Sequence, residues 1–160
     1  MKFSLITCSD TPDPAEDKTG QAIIRRIISR GWTLLEHRVV ADNPESIEDA
    51  LRRACDEVGA DIVFTCGGTG LSYRDITPEA TLAVATRNVP GITEAIRRSH
   101  LTVIERSMLS RAASVQRNKT LIINLPRTQR TALECFYACA DQLEHAVDMM
   151  ADEGQEESAA

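Results

Sequence analysis

Asp61-Ile62-Val63-Phe64-Thr65-Cys66-Gly67-Gly68-Thr69-Gly70, followed after a short polar interval by Thr77-Pro78-Glu79, is the stretch that decides the fold. Residues 61–66 form a strand-sized run rich in apolar and β-branched side chains, and the glycines behind it end the strand in a turn. Thr77, Pro78 and Glu79 are residue types that open a helix: a capping hydroxyl, a ring that fixes φ where no N–H is needed, and an acid in the first turn. The pattern predicts a helix running to about residue 87. A strand, a glycine-rich loop of residues 67–76 and a helix in succession form the unit from which α/β chains are built.

Working outward, the same unit recurs on the N-terminal side. Residues 2–8 read as a first strand, and a polar loop with Pro12 and Pro14 leads to a helix over about residues 20–30. Ala22, Ile23, Ile24, Ile27 and Ile28 build the apolar face of that helix, and Gly31 is placed to end it. A second strand covers about residues 33–40. Asn43 as N-cap, Pro44 at the first helical position and Glu45 in the first turn then start a helix that Gly59 closes after Val58.

On the C-terminal side, Pro90-Gly91 breaks the third helix, and a fourth takes about residues 92–104. Residues 114–117 and 120–125 read as two strands joined at Asn118-Lys119, a plausible hairpin because Asn tolerates positive φ. The last helix runs over about residues 131–150, with Thr131 and Glu134 spaced as a capping box. The expectation is one three-layer α/β domain over residues 1–150. Its mostly parallel sheet has helices on both faces and a short hairpin in the C-terminal half, and an acidic, frayed tail covers residues 151–160.

The 160 residues, 42% hydrophobic and 26% charged, suit one globular domain. No apolar run approaches the ~18 to 20 residues that span a bilayer, and residues 3–7 are too short for the ~7 to 15 residue apolar core of a signal peptide. We therefore expect a soluble, cytoplasmic protein. The net charge is −6, with Asp152, Glu153, Glu156 and Glu157 in the tail supplying much of it, so neither nucleic acid nor an anionic membrane is an expected partner. Cys8, Cys55, Cys66, Cys135 and Cys139 are odd in number and contain no C-x-x-C pair, which speaks against disulfides and a zinc site. His37, His100 and His145 fall within strand or helix patterns and read as structural or surface residues.

In an open parallel sheet, ligands bind beyond the carboxyl ends of the strands. There the sequence delivers Ser9-Asp10, Ala41-Asp42-Asn43 and Gly67-Gly68-Thr69-Gly70 followed by Arg74-Asp75. Consecutive glycines let backbone N–H groups converge on a phosphate or carboxylate, and aspartates meeting such a loop make a site for Mg²⁺ and a polyphosphate. Each feature singly also has a structural reading: the glycines as a tight turn, Asp42 and Asp75 as turn residues. The spacing matches neither a P-loop nor G-x-G-x-x-G, and no G-x-S-x-G elbow occurs.

Thr65-Cys66-Gly67-Gly68-Thr69-Gly70 with Arg74-Asp75-Ile76-Thr77-Pro78-Glu79-Ala80-Thr81 resembles the signature of the molybdopterin adenylyltransferase family of molybdenum-cofactor biosynthesis. The resemblance extends to Ser9-Asp10, Asp17 with Gly20, Asp42, Pro90-Gly91 with Glu94, Leu109-Ser110-Arg111 and Leu121 to Pro126, roughly residues 3–150. It implies Mg²⁺-dependent transfer of an adenylyl group from ATP to the terminal phosphate of molybdopterin, with release of pyrophosphate, by a homotrimer or dimer of trimers. It makes Asp42 and Asp75 the catalytic, metal-holding carboxylates, and Asp10, Gly67, Gly68, Thr69, Gly70, Ser110, Asn124 and Pro126 the substrate-binding set. The chain departs from the family pattern at Arg127, which follows Leu125-Pro126 where relatives usually carry glycine. Ser114 and Asn118 also stand where many relatives have glycine. The alternative is a non-catalytic relative that binds a pterin or nucleotide, or serves as an oligomeric scaffold. The last helix, apolar over more than one face, is an independent reason to expect an oligomer.

Overall fold

The structure, a computed structural model, describes residues 1–10, 13, 15–101 and 105–151. Pro12, Pro14, the side chain of His100 and residues 152–160 of the acidic tail lie outside the described residues. The elements run β1 (Lys2–Cys8), α1 (Lys18–Ser29), β2 (Thr33–Val40), α2 (Pro44–Arg52), β3 (Ile62–Cys66), α3 (Thr77–Ala83), β4 (Arg87–Asn88), α4 (Pro90–Leu101), β5 (Ser114–Arg117), β6 (Thr120–Leu125), α5 (Gln129–Ala140) and α6 (Leu143–Ala151). The six strands lie in the order β2-β1-β3-β6-β5-β4. β2, β1, β3 and β6 are mutually parallel, whereas β5 returns antiparallel against β6 and β4 antiparallel against β5.

Alternation along the strands fills two cores. Phe3 and Leu5 of β1, Ile62 and Phe64 of β3, and Leu121 and Ile123 of β6 face α1, α5 and α6, together with Ile23, Ile27, Phe136 and Leu143. Rings stack there, with Phe3 5.0 Å from Trp32 and 5.6 Å from Phe64. Ile6, Val63 and Ile122 point the other way, onto Ile47 and Leu51 of α2 and Ala80 and Val84 at α3. The sheet is thus the middle of three layers, as the alternation of strands and helices predicts.

Local chemistry explains the element boundaries. Asn43 caps α2 by accepting from the Ser46 N–H at 2.9 Å, with Pro44 in the first turn. Asn118 takes φ 52° at the β5–β6 turn. Other boundaries differ from the sequence reading. α1 begins earlier because Asp17 caps it, accepting from the Gly20 N–H at 2.8 Å. α2 gives way after Arg52 to a π-helical turn over Arg53–Glu57. α3 ends at Ala83 and is followed by the two-residue β4, too short to leave a periodicity. Pro90 and Gly91 form the first turn of α4 instead of merely breaking what precedes, consistent with proline's tolerance at a helix start.

The final helix is two helices, parted at Asp141–Gln142, where Asp141 pairs with Arg30 at 2.8 Å. Thr131 is not its cap. α5 starts after Thr128, whose hydroxyl donates to that of Thr131, and Glu134 instead accepts from Arg130 one turn away.

Asn124 ties the sheet to α3. Only 1% exposed, its Nδ2 donates to the hydroxyls of Thr65 and Thr81 at 2.9 and 2.8 Å, and its Oδ1 accepts from the Ala113 N–H at 3.0 Å. Both amide hydrogens and the carbonyl are satisfied inside the fold. Asn124→Leu keeps the volume and strands three buried polar partners, so it should cost about 2–4 kcal/mol. A lower urea midpoint with an unchanged slope is the expected reading.

Candidate functional site

The parallel register brings four strand ends level: Cys8 pairs with Val40, Thr7 with Cys66, and Cys66 with Leu125. Two hydrogen bonds extend this order past the strands, from the Ser9 N–H to the Val40 carbonyl at 2.9 Å and from the Gly67 N–H to the Leu125 carbonyl at 3.0 Å. Ser9-Asp10, Ala41-Asp42, Gly67-Gly68 and Pro126-Arg127 therefore leave the sheet side by side.

Gly67 and Gly68 take φ 99° and 67°. A Cβ on Gly67 would lie 2.8 Å from the Cys8 carbonyl, and one on Gly68 2.2 Å from the Thr77 hydroxyl. Both are buried and shape the turn, leaving Thr69 and Gly70 to face a cavity. The turn is clamped from outside by Arg111. Its N–H donates to the Thr69 carbonyl at 2.9 Å and its Nε to the Gly70 carbonyl at 2.7 Å, while the rest of the guanidinium reaches the Asp75 carbonyl and Glu79. The Arg111 hydrogen bond, outweighing partial burial, holds the Glu79 carboxyl below its usual range.

Two cavities flank this loop. One, of ≈ 410 Å³, brings together Thr69, Gly70, Ser110, Asn124 and Pro126 of the expected substrate set, with Arg97 and Arg106 beside them. The other, of ≈ 510 Å³, is lined by Asp10, Asp42, Asn43, Tyr73, Arg74 and Ile76. Asp75 sits at the seam. Its backbone neighbours line the second cavity, but its carboxylate turns to the loop, accepting from the Ser72 N–H at 2.9 Å and lying 2.8 Å from where a Gly70 Cβ would stand. The expected residues thus divide into a glycine-loop side and an aspartate side rather than forming one cluster.

Each acid on the aspartate side has a cation. Asp10 pairs with Arg74 at 2.6 Å and Asp42 with Arg127 at 3.0 Å. The Asp42 side chain is 6% exposed, and its second oxygen, Oδ1, is buried without a hydrogen-bond partner. A buried carboxylate oxygen left bare is costly unless something cationic or a donor approaches it. Among the described residues no three His, Cys, Asp or Glu side chains gather as a metal site. A divalent cation entering here would meet the bare Asp42 oxygen and would have to complete its shell largely from substrate phosphates and water, as Mg²⁺ commonly does.

Pairings that the sequence does not announce complete the rim. Arg127 does not take positive φ, so the loop after β6 accommodates a side chain where a glycine is usual. His37 is nearly buried and bonds Asp17 at 3.0 Å; Asp17 also accepts from the Thr7 hydroxyl and the Gly20 N–H. A Cβ on Gly20 would strike both the Asp17 carboxylate and the His37 ring, which accounts for a glycine there. Burial works against the Asp17 charge, but the bonds from His37, Thr7 and Gly20 prevail and lower its pKa below 3.8. The only legible hint was the spacing of Asp17 and Gly20. Burial pushes the Cys8 thiol up to about 11 and Cys66 well above its ordinary value, so neither is a ready nucleophile.

Residues 4–145 match the family model described as "Probable molybdopterin binding domain". The molybdopterin adenylyltransferase of Helicobacter pylori (strain J99) is 39% identical over 137 residues, covering 84% of this chain and 78% of that protein. That of Escherichia coli (strain K12) is 40% identical over 145 residues, covering 88% and 74%. Among solved structures, the molybdopterin biosynthesis enzyme MoaB of Thermus thermophilus superposes with a TM-score of 0.86 at 35% identity, over 93% of this chain and 95% of that one. The molybdopterin biosynthesis Mog protein of Mycobacterium ulcerans does so at 0.85 and 36%, over 94% and 96%.

The lowered pKa of Asp17 has a consequence for acid stability. Its stabilisation is complete above the ordinary value of 3.8 and is lost as pH falls through the lower folded value. Asp17→Asn should cost about 1–3 kcal/mol at pH 7, and the gap between parent and variant should close as the medium is taken below pH ~4. Urea midpoints at pH 7 and pH 3 check this; a gap that does not change with pH would mean Asp17 keeps an ordinary pKa.

Proposed function

The chain belongs to the molybdopterin-binding domain family of molybdenum-cofactor biosynthesis, and from that premise we propose that it transfers the adenylyl group of ATP to the terminal phosphate of molybdopterin. An oxygen of that phosphate bonds to the α-phosphorus of ATP as the bond from the α-phosphorus to the αβ-bridging oxygen breaks, and pyrophosphate leaves with that oxygen. The nucleophile is already an anion at neutral pH, so no general base has to take a proton. Among the described residues no histidine lines either cavity, which fits that requirement.

The observation that carries this reading is the seam itself: a glycine loop clamped between a cavity fit for one phosphate-bearing substrate and another lined by carboxylates, with a bare, buried Asp42 oxygen facing the need for a cation. Thr69, Gly70, Ser110, Asn124 and Pro126 would line the pterin side, with Gly67 and Gly68 setting the backbone that carries them. Asp42 and Asp75 would hold Mg²⁺, and Asp10 would border the nucleotide side. Mg²⁺, when bound, offsets the phosphate charge that otherwise keeps two anionic substrates apart. Arg111 positions the loop, and Ser72 orients Asp75. The catalytic unit spans residues 1–150, and we place it in the cytoplasm; no described helix is long and apolar enough to cross a membrane.

A second reading, a binding-only relative, is favoured by one observation: Arg127 occupies Asp42 from the protein's own side. Turnover separates the two. Asp42→Asn and Asp75→Asn keep shape and remove charge, and each should lower pyrophosphate release from molybdopterin, ATP and Mg²⁺ by about 10²- to 10⁴-fold with the fold intact. Variants as fast as the parent would remove both carboxylates from the mechanism, and an inactive parent would favour the binding-only reading.

We also propose assembly as a trimer or a dimer of trimers. Met149 is largely exposed, and with Met150, Val89, Ile92 and Ala146 it borders an apolar groove of ≈ 400 Å³ between α6 and the β4 edge. Met149→Glu should lower the sedimenting mass from trimer toward monomer. A parent that sediments as a monomer at micromolar concentration would contradict the assembly.

A further inference from the structure

Asp42 is read above as a cation ligand, yet a cation from the chain already touches it. Arg127 Nη2 lies 3.0 Å from Asp42 Oδ2, and the two side chains differ sharply in setting: Asp42 is 6% exposed, Arg127 57%. The carboxylate is fixed in the rim and the guanidinium reaches down to it from solvent. The Arg127 backbone is tied separately, its carbonyl accepting from the Thr19 hydroxyl at 2.7 Å. The guanidinium is not pinned by a second acid, since Asp42 is the one carboxylate paired with it among the described residues. It lies across the glycine loop, with Nε and Nη2 each 3.6 Å from the position of a Gly67 Cβ.

We propose that Arg127 is a displaceable counterion of Asp42, a positioning residue that competes with the divalent cation for this carboxylate and makes cation binding depend on the nucleotide. The inference rests on the reading of Asp42 as a cation ligand. With no nucleotide, a divalent cation entering at Asp42 must expel a positive charge held within hydrogen-bond distance, so the cation alone binds weakly. With a nucleotide present, its phosphates offer the expelled guanidinium a bidentate partner, and the cation gains oxygens that the protein does not supply. The two arrivals are then coupled in both directions, as linkage requires. The buried, bare Oδ1 of Asp42 marks where the occupancy by Arg127 is incomplete: one oxygen is served and the other is not.

Asp10 and Arg74 border the same cavity with an ion pair of their own, but both are more than half exposed and Asp10 has no buried oxygen left bare. Solvent screening leaves that pair little influence. Asp42, sheltered from water, is where replacing one cation by another is felt.

The test reads metal binding without turnover. Mn²⁺, used in place of Mg²⁺ for its paramagnetism, is titrated into the purified full chain by electron paramagnetic resonance, with and without a non-hydrolysable ATP analogue. Arg127→Gln and Arg127→Gly both remove the charge; the second places at this position the residue usual in the family. Each should bind Mn²⁺ alone about 3- to 10-fold more tightly than the parent, and the gain in Mn²⁺ affinity on adding the analogue should shrink. In an Asp42→Asn background the effect of Arg127→Gln on Mn²⁺ should vanish. Unchanged or weaker Mn²⁺ binding in both folded Arg127 variants overturns the proposal, as does an Arg127 effect that survives without Asp42. Because neither molybdopterin nor product enters the measurement, its outcome is separate from whether adenylyl transfer occurs.

Discussion

The parallel, level register of β2, β1, β3 and β6 is the constraint on which the rest depends. Hydrogen bonding along the ladders sets Val39, Thr7, Cys66 and Leu125 abreast, and chain polarity then sends four loops out on one rim. The cores on both faces hold that register: a one-residue slip would turn Phe64 toward α2 and Val63 toward the ring stack, exchanging large for small side chains on both sides. Asn124 adds a polar lock at the point where β6 approaches the rim. The glycine loop needs this rigidity, because Gly67 turns against the Cys8 carbonyl with no room for a Cβ.

Charge on that rim is balanced by design of the fold rather than by bulk composition. The chain is net negative, an unfavourable setting for a polyphosphate, yet three acids near the site each meet an arginine, Asp10 with Arg74, Asp42 with Arg127 and Glu79 with Arg111, while Asp75 accepts from the Ser72 N–H. These arginines differ in function. Arg111 is spent on backbone carbonyls and holds the loop, so it is not available to a ligand. Arg74 and Arg127 are exposed and hold carboxylates, so they can exchange partners when phosphates arrive. Positioning and electrostatic compensation, without a proton-abstracting base, suit attack by a phosphate oxygen.

Much of this was legible in the sequence because the signals were local. Asn43-Pro44 and Thr77-Pro78 start helices by their own chemistry, the glycine run ends β3, and Asp42 and Asp75 stand beside strand ends. What was not legible depends on residues distant in sequence. Arg127 meets Asp42 across 85 positions, Arg111 meets the loop from 41 positions away, and His37 reaches Asp17 from β2, 20 positions on. No spacing rule foretells such pairs. The capping box at Thr131 failed for a different reason: the helix already begins at Gln129, behind an extended Thr128, so Thr131 lies inside its first turn, where its hydroxyl accepts from that of Thr128. β4 is held by ladder bonds to β5 and by little of its own sequence.

In the proposed reaction the rim joins molybdopterin's phosphate to the α-phosphorus of ATP. Parallel incubations of the purified chain with molybdopterin and Mg²⁺, one with ATP labelled at the α-phosphorus and one with ATP labelled at the γ-phosphorus, follow the bonds directly. Adenylyl transfer puts the α-label on the pterin and the γ-label in pyrophosphate, with equal molar yields of the two products. Label from the γ-phosphorus on the pterin, or release of inorganic phosphate without adenylylated pterin, would contradict it.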